Sequence, residues 1–173
     1  MSECTFPALS DICAQLAGHT LPRWNELPDL ELYMDQVLSL IARYLGSYPG
    51  FDEKGLTSSM VNNYVKLGVL PPPRHKRYTR EHVARLLMLC LLKASLPIAT
   101  IRALLDDALS AAPLDSFYDG FCTLFESAGA AVAAAHTAPG LPEDEAVFRA
   151  ALRAQAEQAL ALKLCAARFP DGI

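Results

Sequence analysis

The sequence predicts an all-α protein broken once by an extended, basic segment, and three observations carry that expectation. Apolar residues recur at spacings of three and four along most of the 173 residues. Hydrophobic residues make up 52% and charged residues 20%, a balance that excludes a disordered chain and suits helices with an alanine-rich interior. The exception is Leu70-Pro-Pro-Pro-Arg-His-Lys-Arg-Tyr78, where three consecutive prolines forbid a helix.

Residues 1–20 form a leader in which Leu9, Ile12, Cys13 and Leu16, closed by Gly18, suit a short helix. Pro22 and Pro28 bracket an arm carrying the only tryptophan, Trp24. Asp29 is placed as an N-cap for a helix whose apolar positions are Leu30, Met34, Val37, Leu38, Ile41 and Leu45, ended by Pro49-Gly50. Thr57 or Ser58 caps a second, short helix that runs to about Leu67, with Gly68 as its stop. After the proline-rich segment, which suits a small hairpin, Thr79 caps a helix with Glu81 in its first turn and a nearly unbroken apolar run to Leu92. A short helix from Ile98 to Leu109 follows, then two longer ones, Leu114 to about His136 and Glu143 to about Phe169. Residues 21–110 read as one domain and 111–173 as a C-terminal helical region for dimerisation or an effector.

Charge is distributed unevenly. Between Thr57 and Arg102 stand eight basic residues and one acid, Glu81, a local +7 that leaves −11 for the rest of a chain whose net charge is −4. Such a local field attracts phosphate even when the whole chain is acidic. On a helical wheel Met60, Val61, Tyr64, Val65 and Leu67 share one arc, and Ser59, Asn62, Asn63 and Lys66 the other. An asparagine amide can pair with adenine N6 and N7 in the major groove, a lysine can neutralise a phosphate, and the helix start at Ser58 and Ser59 offers free backbone N–H groups to phosphate oxygen. Arg74, His75, Lys76, Arg77 and Arg80 follow closely enough to reach the flanking backbone. The segment therefore reads as a reader of double-stranded DNA: a helix-turn-helix followed by a basic wing.

The string Tyr64-Val-Lys66-Leu-Gly68-Val-Leu70-Pro, then Arg77 and Tyr78, an apolar helix and Ile101-Arg102-Ala-Leu104-Leu105 resembles the MerR-type winged helix-turn-helix over roughly 50 residues. The resemblance implies that the second helix enters the major groove, that an aromatic matching Tyr64 and arginines of the wing contact the DNA backbone, and that a C-terminal helix pairs two subunits. Asn62 departs from the family's usual arginine, the wing is shorter and the preceding helix longer. Leu21-Pro-Arg-Trp24-Asn-Glu-Leu-Pro28, Leu32-Tyr-Met-Asp-Gln36-Val and Tyr78-Thr-Arg-Glu-His82 resemble more closely an uncharacterised bacterial domain-of-unknown-function family related to MerR, over about residues 21 to 105. That match implies a fold and a regulatory role, with no known effector ligand.

Phe148, Leu152, Gln155, Ala159, Leu162, Ala166 and Phe169 repeat at 4-3-4-3-4-3 spacing, which both a coiled coil between two copies and packing within one subunit would explain. A homodimer is expected because two-fold partners let a small reader contact two half-sites. Phe117, Phe121, Leu124, Ala128 and Ala131 form a stripe that suits core or the wall of a pocket. The five cysteines are odd in number and scattered, without a C-x-x-C pair or a histidine at ligand spacing, so reduced, mostly buried thiols are expected and neither metal nor cofactor. No nucleophile with its base, carboxylate pair or phosphate-cradling glycine loop is legible, which argues against an enzyme. The start lacks a basic, then apolar, secretion signal, and the longest strongly apolar run, Leu86 to Leu92, is too short to span a bilayer, so a cytoplasmic protein without membrane contact is expected. The competing expectation is a winged-helix module that docks an acidic protein instead of DNA.

Overall fold

The apolar run after Thr79 becomes a helix buried nearly all round, and the rest of the protein is arranged against it. In the computed structural model, which describes residues 8–49, 51, 55–137, 142 and 144–170, there are seven helices, one 3-10 turn and no strand among the described residues. They are α1 (Leu9–Gly18), the turn Trp24–Glu26, α2 (Met34–Leu45), α3 (Ser58–Lys66), α4 (Arg80–Leu92), α5 (Ile98–Ala111), α6 (Leu114–His136) and α7 (Ala146–Arg168). Within α4, His82 to Ala84 and Leu86 to Cys90 are all buried. Val37, Ile41 and Leu45 of α2, Val61 and Tyr64 of α3, Ile101 and Leu105 of α5, and Tyr118 and Cys122 of α6 complete one continuous core. The boundary expected after residue 110 falls in the last turn of α5, and both α5 and α6 contribute to this core.

Helix α2 starts one turn later than Asp29 and Leu30 suggest. Leu32 is buried, and its N–H and C=O both pair with Tyr78, at 2.8 Å from Leu32 N to Tyr78 O and 2.9 Å in return. Continuing the helix back to Leu30 would forfeit both bonds, so the chain stays extended until Tyr33, and Leu30 is exposed instead of joining the core.

The Pro22–Trp24 arm is fastened to α6. Tyr118 donates its hydroxyl to the Pro22 carbonyl at 2.9 Å, Trp24 N donates to Asp119 Oδ1 at 2.7 Å, and Arg23 reaches the Asp119 carbonyl at 2.9 Å and Glu126 at 2.6 Å. These partners explain why α6 buries Tyr118 and Cys122 fully, leaving the expected stripe of Phe117 and Phe121 at the core's edge and Leu124 exposed. Helix α1 lies along α6 so closely that a Cβ on Gly129 would meet the Leu16 carbonyl at 2.5 Å.

Helix α7 stands apart. Its second half is tied to α5 and the residues before it by Gln158, which donates to the Ser95 carbonyl at 3.1 Å, and by Arg168, paired with Asp107 at 2.9 Å. Before Gln158 it makes no hydrogen bond or ion pair to another helix among the described residues, and Val147, Phe148 and Leu152 are each about 70% exposed or more. The 4-3 seam from Phe148 to Ala166 is exposed along its length; it is Cys165 that faces inward. Cys13, Cys90, Cys122 and Cys165 are free and buried, as expected, and Cys4 lies outside the described residues. None of the described helices is long and apolar enough to cross a membrane.

Candidate nucleic-acid interface

Helix α3 presents the polar face that its wheel predicts. Thr57 Oγ1 accepts from Met60 N at 3.3 Å and caps the helix, Val61 and Tyr64 point into the core, and Ser58, Ser59, Asn62, Asn63 and Lys66 are exposed. Leu67 departs from the wheel. It is the C-cap residue, 44% exposed, beyond the helical register that would have turned it inward. Gly68 follows at φ +71°, a backbone conformation that side chains rarely adopt, and ends the helix as expected.

The basic segment forms a tight turn. Arg74 and Arg77 bridge across His75 and Lys76, with Arg77 N donating to the Arg74 carbonyl at 2.8 Å. His75 and Lys76 have φ of 49° and 61°, the pair of positive angles that a two-residue type I′ turn demands and that Asn-Gly satisfies more readily. The Leu32–Tyr78 pairing then anchors the end of this turn to the chain leading into α2. Tyr78 is buried, with its ring edge-on to His82 at 5.3 Å between centroids.

His82 closes the joint from the other side. Thr79 N–H donates to its Nδ1 at 3.0 Å, and the Thr79 hydroxyl lies 2.9 Å from the same nitrogen. Because the backbone N–H can only donate, Nδ1 accepts and the ring is neutral with its proton on Nε2. Burial holds the His82 pKa below its usual 6.5, with Glu81 opposing that shift more weakly.

The twelve candidate residues do not end up on one surface. Ser58, Ser59, Asn62, Asn63, Lys66, Arg74, His75 and Lys76 are exposed, whereas Tyr64 and Tyr78 are core aromatics whose burial raises their pKa values. Arg80 is mostly buried, 3.4 Å from Asp29 and over the Trp24 ring at 5.6 Å. Arg85 pairs with Glu81, and Arg102 with Asp106. Lys66, Arg74, Lys76 and Arg77 carry no ion pair among the described residues, so their charge is available to a partner.

Arg77 is held in a way that its sequence position did not reveal. Its guanidinium lies 3.6 Å from the centroid of the Tyr33 ring, which is half exposed. Tyr33 is therefore the residue that sequence reasoning missed; the buried Leu32 before it is the only local sign that Tyr33 must point outward. Tyr33, Asp35, Asn62 and Lys76 line a common cleft of about 470 Å³ between the start of α2, α3 and the turn. Asn62 of α3 and Lys76 of the turn are thereby neighbours across that cleft.

Burial pushes the Cys90 thiol up to about 11, with Lys93 opposing the shift, so it stays protonated near neutral pH. No group of three or more metal-ligating side chains exists among the described residues.

Residues 22–121 match the family described as Domain of unknown function (DUF1836), and the chain belongs to that family. The match begins at the arm clamped by α6 and ends within α6, just past Tyr118, so it spans the shared core and the candidate interface. No curated protein and no solved structure matches the chain.

Proposed function

We propose that this member of the DUF1836 family binds double-stranded DNA sequence-specifically and regulates transcription, with α3 as the reading helix of a MerR-like winged helix-turn-helix and the 74–77 turn as a short wing. One observation carries the reading. Asn62 of α3 and Lys76 of the turn share a cleft, so an exposed amide suited to a base edge adjoins a cation that has no ion pair among the described residues and suits the phosphate beside it. Asn62 and Asn63 are assigned to base contacts, and Lys66, Arg74, Lys76 and Arg77 to phosphates. Tyr33 holds Arg77 in place. Arg80 is assigned no DNA contact, because Asp29 and Trp24 occupy it.

The functional unit in this proposal is a homodimer joined through α7. The support is the exposed 4-3 seam and the overhanging first turns of that helix, which a second copy would cover.

The test is duplex binding by the purified full chain as salt is varied. Neutralising four phosphates per subunit predicts a log–log slope of about −3.6 for one subunit and about −7.2 for the dimer, from roughly −0.9 per phosphate. Genomic fragments enriched by the protein should share a two-fold related motif. Absence of duplex binding at low ionic strength, together with tight capture of an acidic protein, would replace this reading with a docking module.

A further inference from the structure

A second cleft, of about 510 Å³, opens on the far end of α3 from its cap, between Leu67 and α5. Its size lies within the range of small-molecule sites. The floor is apolar: Val69, Ile98, Ala99 and Ala103, with the exposed side chain of Leu67 at the rim. The polar groups of the wall are one cation and one anion, Arg102 and Asp106, a turn apart on α5.

These two charges are only loosely satisfied. Arg102 Nε stands 3.5 Å from Asp106 Oδ2, with the two side chains 53% and 60% exposed, a pairing worth little in water. Arg102 Nη1 donates to the Leu67 carbonyl at 3.2 Å, and Nη2 has no hydrogen bond among the described residues. The guanidinium also lies against Gly68, where a Cβ would come within 3.1 Å of Cζ.

We propose that this cleft binds a free apolar α-amino acid. The carboxylate would take the open edge of Arg102, the ammonium would take Asp106, and the side chain would cover the floor of Val69, Ile98, Ala99 and Ala103. The ligand's two charges sit on one carbon, as close together as the protein's two, so the four form an alternating array that a plain acid, amine or hydrocarbon cannot complete. Because Arg102 also holds the carbonyl at the C-cap of α3, occupation of the cleft bears on the helix carrying Asn62 and Asn63. Its meaning as regulation rests on the proposed DNA binding; the site itself does not.

Calorimetric titration of the full chain with L-leucine tests the proposal without DNA. Saturable binding is expected, weakened at least about tenfold for 4-methylpentanoate, which lacks the ammonium, and for 3-methylbutylamine, which lacks the carboxylate. Asp106→Asn, at an exposed position, should lose a similar factor while leaving the melting temperature of the free protein unchanged; Arg102→Gln should lose it too. Leucine should slow amide exchange at Leu67 to Leu70 in the native protein and not in Asp106→Asn. No saturable heat up to about 10 mM leucine, or equal binding of leucine, acid and amine, would overturn the assignment, as would an Asp106→Asn variant that binds as tightly as the native chain.

Discussion

Tyr33 and Arg77 act as one unit in the proposed interface. A planar guanidinium 3.6 Å from a ring centroid loses much of its rotational freedom before any partner arrives, so less entropy is lost on contact with phosphate. Arg77→Ala is expected to weaken binding to all duplexes and to flatten the salt slope by about one unit per subunit. Tyr33→Ala should reproduce part of that loss, Tyr33→Phe should retain native behaviour, and the double variant should fall no further than Arg77→Ala alone. Additive losses would show that the two side chains act separately. Asn63→Ala should behave differently, costing about 1–3 kcal/mol at the preferred site while leaving non-specific duplexes nearly unaffected. His82 supplies a prediction independent of DNA. Its folded pKa lies below 6.5, so the neutral ring is the folded form and protonation favours the unfolded chain. Its contribution is fully present above pH 6.5 and declines as the pH falls below it towards the depressed folded value; His19, also lowered by burial, has the same sign. The urea midpoint should therefore drop between pH 7.5 and pH 5, and less steeply once His82 is replaced by Gln.

At the scale of elements, two chain reversals frame the candidate interface, and they use opposite solutions to the same backbone problem. Gly68 meets a φ of +71° with no side chain, whereas His75 and Lys76 meet 49° and 61° with full ones. Left-handed backbone costs an L-residue about 1–2 kcal/mol. Gly68→Ala should therefore destabilise the fold by about that amount in denaturant unfolding. Replacing His75-Lys76 with Asn-Gly should stabilise it by about 1 kcal/mol. That same exchange removes Lys76, so duplex affinity should fall as stability rises. A parallel loss of both would mean that the turn's strain has no connection with its contacts. Strain kept at an exposed, cationic turn fits a segment whose residues answer to a partner as well as to the fold.

At the scale of the molecule, the core unites α2 to α6, while α7 leaves a row of large apolar side chains in water. The seam from Phe148 to Ala166 runs about 27 Å along α7, and an exposed, largely apolar stripe of that length is unusual for a monomer. Sedimentation equilibrium is expected to return twice the 18.8 kDa chain mass, and Leu152→Glu, at a position 69% exposed in one copy, should give a folded monomer. A native chain that sediments as a monomer would remove the dimer from the proposal. Under the dimer reading, Leu152→Glu should also weaken binding to a two-fold site far more than to a single half-site.

The helices and the polar face of α3 were legible because each leaves a local trace. Val61 and Tyr64 repeat at helical spacing opposite Asn62 and Asn63, Thr57 and Gly68 mark the ends of one helix, and the concentration of cations between Thr57 and Arg102 needs only counting. The start of α2, the fate of Arg80 and the role of Tyr33 were decided by partners far away in the chain. Leu32 stays extended because Tyr78 supplies both of its hydrogen bonds, Arg80 is turned to Asp29 and Trp24, and Arg77 finds an aromatic ring. Periodicity records which face of a helix is apolar, because burial acts on every turn alike. It carries no record of a single long-range pair, which forms only when packing brings two unrelated positions within a few ångströms.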